Sequence, residues 1–219
     1  MKKKSKTPWP TKDAMTQIYE KQLWGGDSHD FYSGAGSHHL DIVEPYIEAV
    51  TNFLKSKKSN LSVCDLGCGD FNIGQQLVPY TSKYIAVDIV EDLIERNKTL
   101  FEAHNLEFRC LDIANDELPI ADCAILRQVL QHLSNAEIKR IVKGLSRYQY
   151  IILTEHLPVG DFEPNVDIIS GQGIRLKHNS GVDVLKTPFN LKVKEERILS
   201  ELDLGKTKGR IVTILYQLF

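Results

Sequence analysis

The 219-residue chain has no apolar run long enough to cross a bilayer as a helix, so a membrane-spanning role is not expected. Its basic start, Met1-Lys2-Lys3-Lys4-Ser5-Lys6, runs into Thr7-Pro8-Trp9-Pro10, where a secretory segment needs an apolar stretch. Residues 1–10 therefore read as a flexible, solvated basic tail rather than a targeting or nucleic-acid arm. An excess of one charge is lacking too. With 27 Lys and Arg against 29 Asp and Glu, the net charge of −2 draws the chain to neither nucleic acid nor anionic membranes. Cysteine is sparse: four residues without C-x-x-C spacing, of which Cys64, Cys110 and Cys123 fall inside or at the ends of predicted buried strands. This argues against a disulfide framework and a zinc cluster, and predicts reduced, structural thiols in a cytoplasmic protein. Internal repeats, low-complexity tracts and a domain boundary are also missing, so residues 11–219 read as a single domain.

What is present is an ordered alternation of periods. Met15, Ile18, Tyr19 and Leu23 recur at helical spacing over Asp13–Trp24, and a glycine-rich loop from Gly25 to Ser37 follows, predicted to be mobile. Pro45 suits the first turn of a second helix that carries Ile47, Val50, Phe53 and Leu54 on one face, and residues 11–56 form an N-terminal helical cap. Strands are predicted at Leu61–Asp65, Tyr84–Asp88, Leu106–Leu111, Cys123–Leu126 and Gln149–Thr154, with helices between them. Ser134 and Glu137 make a capping box before Ile138, Ile141, Val142 and Leu145. Short apolar strands separated by helices require a mostly parallel sheet covered on both faces, an α/β fold. Residues 157–190 are too long and aperiodic for a simple connection and suit a substrate lid. Lys192–Leu202 and Arg210–Phe219 alternate around Gly205–Gly209 as an antiparallel hairpin would.

The most informative stretch is Val63-Cys64-Asp65-Leu66-Gly67-Cys68-Gly69-Asp70-Phe71, an apolar strand that runs into a tight glycine turn. Gly67 and Gly69 let the backbone turn sharply and bring its N–H groups against a ligand. Asp65 decides which ligand. A pyrophosphate would be repelled by an anion ahead of the glycines, whereas the sulfonium and ammonium of S-adenosylmethionine would be attracted.

Asp65-Leu66-Gly67-Cys68-Gly69 resembles the first motif of class I S-adenosylmethionine-dependent methyltransferases, and the order of elements over residues 61–156 resembles theirs as well. Phe71 departs from the pattern, since many members carry a third glycine there. The resemblance implies a Rossmann-like, seven-stranded, mostly parallel sheet with a C-terminal antiparallel hairpin. It implies S-adenosylmethionine as cofactor and S-adenosylhomocysteine as product. Asp88 stands where the family's acid accepts from both ribose hydroxyls, with Ile89 against the adenine. Asp112 and Ile113 stand where a carboxylate accepts from the adenine amino group. Arg127 and Gln128 would line the methionine end, beside Cys68. Each acid has a plainer alternative as a turn or helix cap, but three acids at successive strand ends, on the edge where ligands bind, favour the cofactor. Phe31–Ser37, with Tyr32 and Gly34, resembles segments that close over the donor in some members, a linker being the alternative.

Methyl transfer from an activated sulfonium needs alignment, a short approach and, for a hydroxyl acceptor, a base. His132, in Val129-Leu130-Gln131-His132-Leu133, resembles the base of small-molecule methyltransferases, those acting on sugar hydroxyls among them. Glu155 and His156, at the end of strand five, could orient His132 or take the proton themselves. His38, His39 and His178 have weaker claims, and Arg175, Asp183 and Phe189 could meet an acceptor or simply be solvated. Leu126-Arg127-Gln128 lacks the Asn/Asp-Pro-Pro-aromatic run of many amino methyltransferases, and no acidic cluster suggests a divalent metal. The expectation is metal-independent transfer to a small molecule, at a hydroxyl of a sugar or other biosynthetic intermediate. The alternatives are N-methylation of a protein or small amine, and a silent cofactor-binding module. Oligomeric state is left open.

Overall fold

The computed structural model describes residues 8–26 and 30–219; most of the predicted basic tail lies outside them. The helices are α1 (Thr11–Glu20), α2 (Leu40–Lys55), α3 (Gly74–Leu77), α4 (Glu91–Leu100) and α5 (Asn135–Leu145). The strands are β1 (Ser62–Leu66), β2 (Lys83–Asp88), β3 (Leu106–Cys110), β4 (Cys123–Arg127), β5 (Tyr150–Leu157), β6 (Glu195–Asp203) and β7 (Arg210–Gln217). They form one seven-stranded sheet in the order β3-β2-β1-β4-β5-β7-β6. β1 to β5 are parallel, and β7 lies antiparallel between β5 and β6.

Strand alternation distributes the apolar residues to two cores. Cys64, Leu66, Ile85, Val87, Ala124, Leu126, Ile151 and Leu153 pack on one face, beneath Leu93 of α4 and Ile138, Ile141 and Leu145 of α5. Val63, Tyr84, Ala86, Ile125 and Ile152 pack on the other, beneath Tyr46, Val50 and Phe53 of α2 and Leu77 of α3. The reversal at β1, with β2 on one side and β4 on the other, opens a crevice at the C-terminal strand ends.

Several expectations are corrected. α1 ends at Glu20, and the chain turns away through Gln22 in a left-handed conformation, so Leu23 and Trp24 are not helical. α2 starts at Leu40, which puts Pro45 inside the helix rather than in its first turn. Cys110 is exposed rather than buried, because β3 is an edge strand; Cys64 and Cys123 are buried, and all four cysteines are free thiols. The part of the glycine-rich loop from Asp30 to Ser37 is tied down, as described below.

Residues 157–190 are anchored rather than solvated. Val182, Val184 and Phe189 enter the core over α5. Arg175 is buried, donating through Nε to the Val166 carbonyl at 3.0 Å and through its terminal nitrogens to those of Leu130 at 3.1 Å and Leu133 at 2.7 Å. It also reaches Asn135 Oδ1 at 2.8 Å. Asp183 accepts from the Leu185 amide at 2.9 Å. Arg175 and Phe189 therefore hold this segment on the domain, and neither they nor Asp183 lines the main cavity.

The capping box forms as predicted, and Glu137 does more than cap. Its carboxylate also accepts from the hydroxyls of Thr11 and Ser170, joining α1, α5 and the 157–190 segment at one point. Burial alone would raise its pKa, but the Ser134, Ser170 and Thr11 hydroxyls outweigh burial and lower it.

Candidate active site

A cavity of about 480 Å³ opens at the C-terminal edge of the sheet, roofed by α1 and the Ser33–Ser37 segment. Gly67, Cys68 and Gly69 form one wall, with Asp65, Asp88 and Asp112 from the ends of β1, β2 and β3. Ile89 and Ile113 give it an apolar side, and Arg127 from the end of β4 and Gln128, Gln131 and His132 from the β4–α5 connection line it as well.

The turn requires its glycines. Gly67 has φ 90°, and a Cβ there would lie 2.5 Å from Val129 Cγ2; Gly69 has φ 56°, and its Cβ would lie 2.3 Å from Ser33 Oγ. Phe71 adopts a left-handed φ of 64° without being glycine. Its ring is fully buried and meets Tyr84, Phe101 and Phe108 edge-on, and that packing compensates the backbone conformation.

Asp65 and Asp88 are buried, and Asp112 is half-buried. Burial, chiefly, pushes Asp65 up to about 7; the Tyr84 hydroxyl, donating to Oδ2 at 2.9 Å, and the Arg127 charge pull against it, and Asp88 adds to it. Asp88 is raised by burial too, although its two oxygens accept from the Gly69 and Val90 amides, each at 3.1 Å. Each oxygen keeps a further lone pair for a ligand. Asp112 accepts from the Ala114 amide at 2.9 Å and from Asn115 Nδ2 at 2.7 Å, so it shapes its turn and faces the cavity at once.

Arg127 donates to the Gly36 carbonyl and lies 4.8 Å from the Tyr46 ring, while its Nε is buried without a partner. Burial lowers its pKa. Gln128, held at φ 57°, abuts Gly36 so closely that a Cβ there would lie 2.2 Å from Gln128 Oε1. His132 lies half-buried at the cavity wall, with its ring 5.1 Å from that of Trp24. Burial, above all, pushes its pKa down to about 4, leaving the imidazole neutral at pH 7.

Three predicted residues fall elsewhere. Tyr32 stacks on His38 at 4.4 Å between ring centroids and does not line the cavity. His156 turns away, its Nε2 meeting the Lys208 carbonyl in the β6–β7 hairpin. Glu155 points to the opposite face of β5, buried under Leu130 and beside Arg175; burial pushes it up to about 8, against the pull of the Arg175 charge. Successive strand residues face opposite ways, so Glu155 and His156 cannot both flank His132.

Two contributors escaped the sequence. Asp70 is buried after the glycine turn and accepts from the Ser33 amide and from His38 Nε2, each at 2.7 Å, while its own amide donates to Ser33 Oγ at 2.8 Å. Tyr19 of α1 bonds Ser33 Oγ at 3.1 Å and lines the cavity. The glycine-rich segment is thus pinned onto the first motif.

The profile of a family described as a methyltransferase domain matches residues 63–149, the span from β1 through α5. The chain carries a methyltransferase domain over this span. No curated protein sequence matches this methyltransferase. Solved structures resemble its fold. The N-methyltransferase NodS from Bradyrhizobium japonicum WM9, in complex with S-adenosyl-L-homocysteine, has a TM-score of 0.65 at 11% identity, over 94% of this chain and 99% of that one. Magnesium protoporphyrin IX methyltransferase (ChlM) from Synechocystis PCC 6803, with bound SAM, scores 0.59 at 14% identity, over 97% and 100%. The N-terminal domain of EvdMO1, with SAH bound, scores 0.61 at 15% identity, over 97% and 98%. At such identities the likeness establishes the fold.

The site of this methyltransferase suits its cofactor. The glycine cradle leaves no room for side chains, cavity-facing carboxylates can take hydroxyl, amino and cationic groups, and the orphaned Arg127 Nε can take an anionic one. Among the described residues no group of three His, Cys, Asp or Glu side chains is placed to hold a metal, and no helix is long and apolar enough to cross a membrane.

Proposed function

We propose that this enzyme methylates a hydroxyl of a small molecule, a sugar or another biosynthetic intermediate, without a metal. The observation that carries the proposal is the single cavity lined by three strand-end acids, the glycine turn and a neutral histidine. ChlM, whose name specifies a porphyrin, supports a small acceptor.

In this reading Asp88 accepts from the ribose hydroxyls, Asp112 from the adenine amino group, and Ile89 and Ile113 sandwich the base. Asp65 holds the donor's positive charge. Arg127 holds its carboxylate, Gly34 and Gln128 closing that end from the pinned segment and from the β4–α5 connection. When bound, S-adenosylmethionine supplies an electrophilic methyl group. His132 takes the proton of the attacking hydroxyl.

Calorimetry of the full chain with S-adenosylhomocysteine tests the common part, with NAD as control. Asp88→Ala should weaken binding roughly 10- to 100-fold, the worth of one or two hydrogen bonds to a charged acceptor. Unchanged affinity would remove Asp88 from the site. His132→Ala should cut kcat by about two orders of magnitude and leave cofactor affinity alone. With cofactor kept saturating at every pH, the acid limb of the kcat profile of the unaltered enzyme should lie near pH 4, where His132 gains its proton, with a plateau above it.

A further inference from the structure

Gln131 is buried beside His132, lines the same cavity, and is tied at both ends of its amide. Its Oε1 accepts the His156 backbone N–H at 3.3 Å, which fixes the amide nitrogen on the other side. That nitrogen lies 3.3 Å from His132 Nε2. His132 Nδ1 lies 3.2 Å from the Gly171 carbonyl oxygen, which can only accept, so Nδ1 carries the hydrogen. In a neutral ring Nε2 then holds a lone pair, to which the Gln131 amide donates in this structure. A hydroxyl that enters between the two can take both bonds over, donating to Nε2 in place of the amide and accepting from the amide in place of Nε2.

We infer that Gln131 and His132 form a hydroxyl-reading pair, which makes the acceptor atom an alcohol oxygen and makes Gln131 a specificity-determining residue. The inference rests on the transfer reading above and deepens it. An alcohol has one hydrogen and two lone pairs. It can donate to Nε2, accept from the Gln131 amide, and keep one lone pair for the methyl carbon. A neutral amine that donates to Nε2 has only one lone pair, so accepting from Gln131 silences it. An ammonium has none, and faces a donor where it needs a counter-charge. The surrounding carboxylates do not supply one: Asp65 and Asp88 belong to the β1 and β2 ends, Glu137 is occupied by three hydroxyls, and Glu155, buried against the Leu130 and Gln131 backbone beside Arg175, does not line the cavity.

The step balances. The alcohol oxygen forms its bond to the methyl carbon as the carbon–sulfur bond breaks, that bond's electron pair stays with sulfur, and the hydroxyl proton passes to Nε2. The imidazolium returns its proton to water after the products leave.

The test begins with ¹⁵N NMR of His132 in the full chain with S-adenosylhomocysteine, which needs no acceptor. The expected state is protonated at Nδ1 and bare at Nε2. Gln131→Leu should leave the hydrogen on Nδ1, where the Gly171 carbonyl holds it, and shift the Nε2 resonance, which loses the amide's hydrogen bond. Gln131→Glu, which turns an acceptor toward Nε2, should raise the His132 pKa and move the acid limb of the rate profile upward with it. For any acceptor that turns over, mass location should find the methyl on oxygen, and Gln131→Leu should lower kcat about a hundredfold with S-adenosylhomocysteine affinity within twofold of the parent. An Nε2–H tautomer in the unaltered protein, or an unmoved Nε2 resonance in Gln131→Leu, overturns the inference. Methyl on nitrogen with cofactor still bound overturns the hydroxyl assignment alone, whereas no cofactor binding overturns the transfer reading itself.

Discussion

Arg175→Leu is expected to destabilise the fold by about 3–5 kcal/mol, the range for breaking a buried charged network by removing one partner. Five bonded acceptors lose their donor at once: the carbonyls of Val166, Leu130, Gln131 and Leu133, and Asn135 Oδ1. Glu155 also loses the neighbouring positive charge that eases its burial. In a chain of this size the shift corresponds to a fall in Tm of roughly 10 °C, readable by calorimetry or a thermal melt. Arg175→Lys should recover little, because one ammonium cannot reach acceptors spread around a planar guanidinium. A loss below about 1 kcal/mol would mean that the 157–190 segment is held by Val182, Val184 and Phe189 alone.

Cofactor affinity should rise with pH across neutrality, because Asp65 has its pKa pushed up to about 7, chiefly by burial. A positively charged ligand beside it favours the ionised form. Below pH 7 binding must first strip a proton, so affinity should fall by up to about tenfold for each pH unit. S-adenosylmethionine uptake at pH 6 should therefore release close to one proton, measurable by calorimetry in buffers of different ionisation enthalpy. Asp65→Asn should bind more weakly at pH 8 and lose the slope. Without ligand the sign is opposite. Asp65 and Glu155, raised to about 7 and about 8, favour the folded state in their neutral forms. Their contribution is full below the usual carboxylate value near 4 and fades as pH rises through 7 and 8.

The sheet and the cofactor end of the cavity were legible because their signals are local. Short apolar runs between helical stretches mark β1 to β5, the glycine turn follows an acid, and Asp88 and Asp112 stand at strand ends. The capping box was equally plain, being written within four residues. What escaped was long-range or depended on facing. Nothing near Asp70 in sequence announces that Ser33 and His38 will bond it across more than thirty positions. Arg175 read as a solvated loop residue because its carbonyl partners lie over forty residues away, apart from Val166. Glu155 and His156 looked like a pair at one sheet edge, yet alternation sends one beneath Leu130 and the other to the hairpin. Phe71 stands where a glycine was expected, and three aromatic neighbours from β2, β3 and the end of α4 hold it there.

The placement of β7 between β5 and β6 also governs how the chain can be made. Residues Tyr150–Leu157 emerge from the ribosome long before Arg210–Gln217, the strand that must cover their free edge. Until then β5 offers a row of unpaired amides flanked by Ile151, Ile152 and Leu153, and β6 has nothing to pair with. The interval in which this nascent chain is most prone to self-association therefore spans the synthesis of roughly the last quarter of the sequence shown, and closes only when the gap in the sheet is filled.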